Sequence, residues 1–139
     1  MRILALDIGT MRIGIAVSDA SAMVASPLAV LSTQEVEQNT PAFRRILEDY
    51  APELLLVGLP VSLSGGENEQ AAHTREIATK ISTITQLPLA FQDERLSSAQ
   101  AKRILREQGC TERDMRGRID AVAASLFLQT YLDAAKGCL

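Results

Sequence analysis

Three acids in this chain, Asp7, Glu94 and Asp120, stand where a fold could bring carboxylates together. Asp7 ends an apolar run and enters a glycine turn in MRILALDIGTMRIGIAVSD, with Gly9, Thr10 and Gly14 close behind it. Burying a lone acid at a strand end is costly, unless a metal ion or a phosphate occupies the turn. Glu94 follows a second apolar run beside Asp93. Adjacent strand residues point to opposite faces, so only one of these two acids can face a shared site. The residues alone leave that choice open. Asp120 falls in the first turn of a C-terminal helical segment, where the helix dipole favours an acid. Three converging carboxylates repel one another unless divalent cations lie between them, and oxygen ligands suit Mg²⁺ or Mn²⁺. Two such ions about 4 Å apart can hold a phosphodiester, activate water and stabilise the leaving oxygen. The expected chemistry is metal-assisted phosphodiester hydrolysis.

The elements that must position these acids can be read from periodicity. Arg2–Leu6 and Ile13–Ser18 read as strands of a hairpin, with a third strand at Ser26–Leu31. Thr40–Tyr50 has helical spacing of Phe43, Ile46, Leu47 and Tyr50, and Pro52 ends it. Glu53–Leu59 (ELLLVGL) is nearly all apolar, as in a central strand covered on both faces, and carries Gly58 near its end. A polar loop, Pro60–Gln70, holds Gly65 and Gly66, which could offer N–H groups to a phosphate or simply flex. A helix from about Asn68 to Thr85 leads to a short strand at Leu87–Gln92, which delivers Asp93 and Glu94. Ser97 opens a helix that Gly109 closes, and Gly117 precedes a last helix reaching about Ala134. Ile119, Val122, Ala123, Leu126 and Phe127 mark its buried stripe, with Asp120 bordering it; Ala121, Ala123 and Ala124 would permit a close approach to the sheet.

Three hairpin-linked strands followed by strands alternating with helices imply an α/β fold, a five-stranded mixed sheet flanked by helices. The chain of 139 residues shows no linker or repeat and reads as one domain, 1–139. In such sheets ligands gather beyond the carboxyl ends of the parallel strands. Asp7, Gly58 and Glu94 all lie at or just after those ends.

Aromatic residues make up only 4% of the chain and the net charge is −3, so neither stacking platforms nor a global positive field is available for a polyanion. Residues 95–118 differ. They hold seven basic side chains (Arg95, Lys102, Arg103, Arg106, Arg113, Arg116, Arg118) against three acids, a local charge of +4. That stretch runs between Glu94 and Asp120. With Arg12 it supplies the expected nucleic-acid contacts, of the kind that position a backbone rather than read sequence. The first residues lack a signal-peptide layout, and no apolar run approaches the roughly 20 residues of a membrane span. Cys110 and Cys138 have no metal-ligand spacing and suit a reducing compartment. The expectation is a cytoplasmic domain with no membrane partner.

The blocks DIGTMRIGIAVSD, VGLPVSLSGG, QDERLSS and IDAVAASLFLQTYL, in this order, resemble those of the YqgF-type family, whose members are called Holliday junction resolvases or pre-16S rRNA nucleases. The resemblance covers nearly the whole chain. It implies a ribonuclease H-like fold, Asp7, Glu94 and Asp120 as the catalytic and metal-binding acids, and a role in 5′-end maturation of 16S ribosomal RNA precursor. It thereby favours Glu94 over Asp93. The partner implied is a structured RNA precursor, with branched DNA as the alternative, acted on by a monomer or homodimer. Two departures stand out. Met11-Arg12 replaces the family's frequent Lys-Arg, and Leu63-Ser64-Gly65-Gly66 lacks the acid often found in that loop.

Two other classes share some of these features. Sugar kinases and related ATPases open on a similar DIGT turn, but they clamp nucleotide between two lobes and need over twice this length. A non-catalytic interaction domain would have no need of all three acids.

Overall fold

A computed structural model describes residues 1–60, 68–94, 97–111 and 117–136. Strands β1 (Ile3–Ile8) and β2 (Arg12–Ser18) form an antiparallel hairpin, which β3 (Ala25–Ser32) extends. β4 (Leu54–Leu59) pairs parallel with β1, and β5 (Leu89–Asp93) parallel with β4. The order is β3-β2-β1-β4-β5, the mixed five-stranded sheet expected from the pattern. One boundary shift matters for chemistry. β1 continues through Asp7 to Ile8, so Asp7 is a ladder residue opposite Gly14 rather than the first residue past the strand.

Among the described residues, five helices cover the two faces: α1 (Thr33–Glu37), α2 (Pro41–Tyr50), α3 (Glu69–Thr85), α4 (Ser97–Glu107) and α5 (Ile119–Lys136). On one face Leu4, Leu6, Ile8, Ile13, Ile15, Leu55 and Val57 pack against Val36 of α1, Phe43 of α2, and Ile77 and Ile81 of α3. On the other, Ile3, Ala5, Ala16 and Leu56 pack against Ala124, Phe127, Leu128 and Leu132 of α5. Coverage on both sides is why β1 and β4 read as continuous apolar runs.

The short α1 lies outside the expected elements, although its start signal is in the sequence. Ser32 and Glu35 form a capping box: Ser32 Oγ accepts from Glu35 N at 3.0 Å, and Glu35 Oε2 accepts from Ser32 N at 3.2 Å. α2 stops at Tyr50, just before Pro52, where Ala51 turns left-handed (φ 44°) and its N–H donates to Leu47 O at 2.9 Å.

α5 faces two ways, and the expected stripe divides between them. Ile119, Val122, Ala123 and Leu126 pack with Ala101 and Leu105 of α4. The sheet-facing row is Ala124, Phe127, Leu128 and Leu132. Asp120, one turn before Ala124, heads the sheet-facing row, as its spacing to Ala124 and Phe127 implies. A helix buried on two sides is apolar nearly all round, so its periodicity does not single out one face. Its far half is tied to the sheet by Gln129, whose Oε1 accepts from Ala25 N at 2.9 Å and whose Nε2 donates to Met23 O at 3.0 Å. No helix among the described residues is long and apolar enough to cross a membrane.

Candidate active site

Strand alternation decides which acids meet. Asp7 follows Ile3 and Ala5 onto the face that α5 covers. In β4 the same side carries Leu56 and then Gly58. The β4–β5 register pairs Gly58 with Gln92, so the next residue of that parity is Glu94. Asp93 takes the side of Phe91 and is exposed. Glu94 N donates to Leu59 O at 3.3 Å, carrying the ladder one step past β5 and fixing the base of its side chain. Asp7, Gly58 and Glu94 thus line up across three parallel strands at their carboxyl ends.

Two glycines make room for the acids. A Cβ on Gly58 would lie 2.6 Å from Glu94 Oε2 and 2.6 Å from Phe127 Cε2. The bare backbone there lets the carboxylate fold back over β4, with the Phe127 ring against it. A Cβ on Gly14 would run into the carbonyl of Asp120 and lie 2.6 Å from Ala121 N. The first turn of α5 therefore rests directly on the β2 backbone. Because Gly14 is the ladder partner of Asp7, this contact sets Asp120 beside Asp7. The alanines of α5 were expected to permit the approach, but the strand glycine is what makes it that close.

The turn between β1 and β2 is held firmly. Gly9 N donates to Arg12 O at 2.8 Å, and Thr33 N donates to Met11 O at 2.9 Å. Thr33 Oγ1 also reaches Gly9 O at 3.5 Å. A Cβ on Gly9 would come within 2.9 Å of Arg12 O, and Thr10 is exposed at the tip.

Burial, the Asp7 charge and a hydrogen bond to Asp7 push the Glu94 carboxyl up to about 9, with Asp93 and Asp120 adding to the effect. Glu94 thus keeps its proton and donates it to Asp7. Burial raises Asp7 as well; the bond from Glu94 opposes that rise and the Asp120 charge adds to it. Asp120 is raised by burial and held back by Arg12, whose Nε lies 3.4 Å from Asp120 Oδ2. The acids are therefore arranged as a proton-sharing pair plus a third with its own cation. Among the described residues, no three Asp, Glu, His or Cys side chains are close enough together to surround one ion. The donor set nonetheless fits a divalent cation. Asp7 and Glu94 are hard oxygen donors, partly buried, with Asp120 nearby.

Of the expected polyanion contacts, Lys102, Arg103 and Arg106 are exposed on α4. Arg118 is exposed beside the start of α5 and donates from Nη1 to Cys110 Sγ at 3.2 Å. Arg95, Arg113, Arg116, Gly65 and Gly66 lie outside the described residues. The sequence reading missed the ion pair of Arg12 with Asp120 and the place of Phe127 against Gly58. Alternation along β2, which puts Arg12, Gly14 and Ala16 on one side, was the signal for the first.

The profile of the RuvX family, described as Holliday junction resolvase, matches residues 1–134. A relative from Lactococcus lactis subsp. cremoris, named "Putative pre-16S rRNA nuclease", is 39% identical over 136 residues, covering 96% of this chain and 94% of its own. One of the same name from Anaeromyxobacter is 38% identical over 133 residues, covering 96% and 97%. Among solved structures, Thermus thermophilus RuvC in complex with a Holliday junction substrate aligns with a TM-score of 0.55 at 15% identity, over 99% of this chain and 96% of that one. The fowlpox virus Holliday junction resolvase aligns with a TM-score of 0.54 at 14% identity, over 96% and 99%. These two establish the ribonuclease H-like fold. With its sequence matched almost end to end, this chain belongs to the RuvX (YqgF-type) family of nucleases.

Proposed function

We propose that this single ribonuclease H-like domain is a divalent-metal-dependent endonuclease acting in 5′-end maturation of 16S ribosomal RNA precursor in the cytoplasm. The observation that carries the reading is the alignment of Asp7 and Glu94 at the carboxyl ends of β1 and β5, with Asp120 brought alongside by Gly14. The substrate class follows the names of the relatives that share 38–39% of its residues.

Asp7, Glu94 and Asp120 would hold Mg²⁺ or Mn²⁺. Such an ion supplies charge stabilisation at phosphate oxygens and lowers the pKa of water. Asp7 is rigid because its backbone lies inside the β1–β2 ladder. Holding a cation would require Glu94 to give up its proton, so binding would release one. Arg12, Lys102, Arg103 and Arg118, with Arg95 and Arg116 from the same basic stretch of sequence, bind backbone phosphates. These contacts fix register without reading bases. Gly9 and Thr10 form the rim of the turn, and Gly58 lies near the end of β4.

A second reading, cleavage of four-way DNA junctions, is favoured by the fold shared with RuvC. It needs two sites related by symmetry, hence a homodimer, whereas RNA trimming can be done by a monomer. The experiment offers wild-type protein both a 16S precursor RNA and a four-way junction, with its mass in solution measured in parallel. Cutting of the RNA near the mature 5′ end supports the first reading. Paired symmetrical cuts in the junction by a dimer, with the RNA left intact, would replace it with the second.

A further inference from the structure

Arg12 does more in this structure than stand at the edge of the site. Its backbone is pinned by the bond from Gly9 N to Arg12 O at 2.8 Å and by its place opposite Ser32 in the β2–β3 ladder. Its side chain shares a face of β2 with Gly14, on which the Asp120 backbone rests. Its Nε lies 3.4 Å from Asp120 Oδ2, and its side chain is 53% exposed while that of Asp120 is 25% exposed. The acids are correspondingly split: Asp7 and Glu94 bond to each other, Asp120 stays with the guanidinium, and no three donors close around one point among the described residues.

We propose that Arg12 is a tethered counterion of Asp120, which holds that carboxylate apart from the Asp7–Glu94 pair, opposes cation binding there, and on release turns to the substrate backbone. The inference rests on the metal-dependent reading above and adds a positioning role for this chain's own arginine. A half-exposed ion pair is weak enough to exchange. Asp120 can therefore leave Arg12 for a doubly charged partner that Asp7 and Glu94 help to hold. Arg12, on a backbone anchored at Gly9, then presents its guanidinium at the mouth of the site, where a phosphodiester would lie. Cation binding and phosphate binding would be coupled through one side chain, and the coupling is reciprocal. The same positive charge that competes with the cation before it binds helps to hold the phosphate afterwards.

The test is Mn²⁺ affinity measured by electron paramagnetic resonance on the whole protein, without nucleic acid. Arg12→Gln should bind Mn²⁺ roughly fivefold more tightly than wild type, the scale set by losing a competing ion pair. Arg12→Lys, which keeps the charge, should stay near wild type. Lys80→Gln removes the same charge from α3, on the opposite face of the sheet, and should leave the affinity unchanged. In filter binding with a 16S precursor RNA, Arg12→Gln should show a smaller gain in affinity on adding Ca²⁺ than wild type does. Equal Mn²⁺ affinity in wild type and Arg12→Gln overturns the inference while leaving the acidic site intact. Equal tightening in Arg12→Gln and Lys80→Gln also overturns it, because net charge alone would then explain the change. If neither wild type nor Arg12→Gln binds Mn²⁺, the metal-dependent reading fails together with it.

Discussion

The carbonyl of Asp120 rests on Gly14, so closely that a single added methyl group would strike it. This one contact joins the last helix to the first hairpin and sets a helix acid beside a strand acid. Gly14→Ala should therefore push the start of α5 off the sheet. Overpacking of this kind costs about 1–3 kcal/mol. Thermal unfolding should register that loss, and cleavage should fall further than the stability change explains, because Asp120 moves away from Asp7.

Gly58→Ala tests the other glycine. Its new methyl group would meet the end of the Glu94 side chain and the edge of the Phe127 ring, both of which can shift more easily than backbone. Activity should drop while the melting temperature falls less than in Gly14→Ala. A melting temperature as low as that of Gly14→Ala would mean that Gly58 serves packing alone.

The raised carboxyls predict an unusual pH dependence. Glu94 titrates near 9 in the folded chain, against an ordinary value of 4.5 in the unfolded one. The protonated acid therefore stabilises the fold fully below about pH 4.5, and the contribution fades as pH rises toward 9. In chelator, the melting temperature of wild type should fall as pH rises from 6 to 9. Glu94→Gln keeps a donor for Asp7 without a titrating proton, so its curve should be flatter over that range. Added Mg²⁺ or Mn²⁺ should restore more stability to wild type at pH 8 than at pH 6, because binding displaces a proton. Parallel curves for the two proteins would contradict the assignment of the proton to Glu94.

Much of this site was legible from residue types and spacing, and the exceptions have physical causes. Asp7 and Glu94 could be placed because apolar runs announce the ends of β1 and β5. The choice between Asp93 and Glu94 could not be made from the pattern of β5. That strand has partners on both faces, so hydrophobic alternation is erased, and the register Gly58 to Gln92 was needed to restore parity. The buried stripe of α5 was legible, but not that α4 covers one part of it and the sheet the other, since a helix buried on two sides shows no single face. α1 was passed over because five residues are too few for a helical period, although its capping box was in plain view. The Arg12–Asp120 pair depends on an approach between chain segments over a hundred residues apart, which no local spacing encodes.

The basic face predicts a distinct phenotype. Lys102 and Arg103 are exposed on α4, which packs against the helix that bears Asp120. Replacing both with Gln should weaken precursor RNA binding for all sequences alike. It should also reduce the slope of log affinity against log salt by roughly 0.7–0.9 for each phosphate that is no longer neutralised. Mn²⁺ affinity in the absence of RNA should be unchanged, which separates these residues from Arg12. An unaltered salt slope would remove α4 from the interface.

The most direct measurement is the single-turnover rate of precursor RNA cleavage by wild type and by Asp7→Asn, each with Mg²⁺, with Mn²⁺ and with chelator. Asp7→Asn keeps the shape of the side chain and its place opposite Gly14 while removing the charge at the centre of the site. Wild type should cut only with a divalent ion. Asp7→Asn should be slower by more than the ~10–100-fold typical of losing an outer partner of a metal site. Cleavage by Asp7→Asn at the wild-type rate, or by wild type in chelator, would contradict the account.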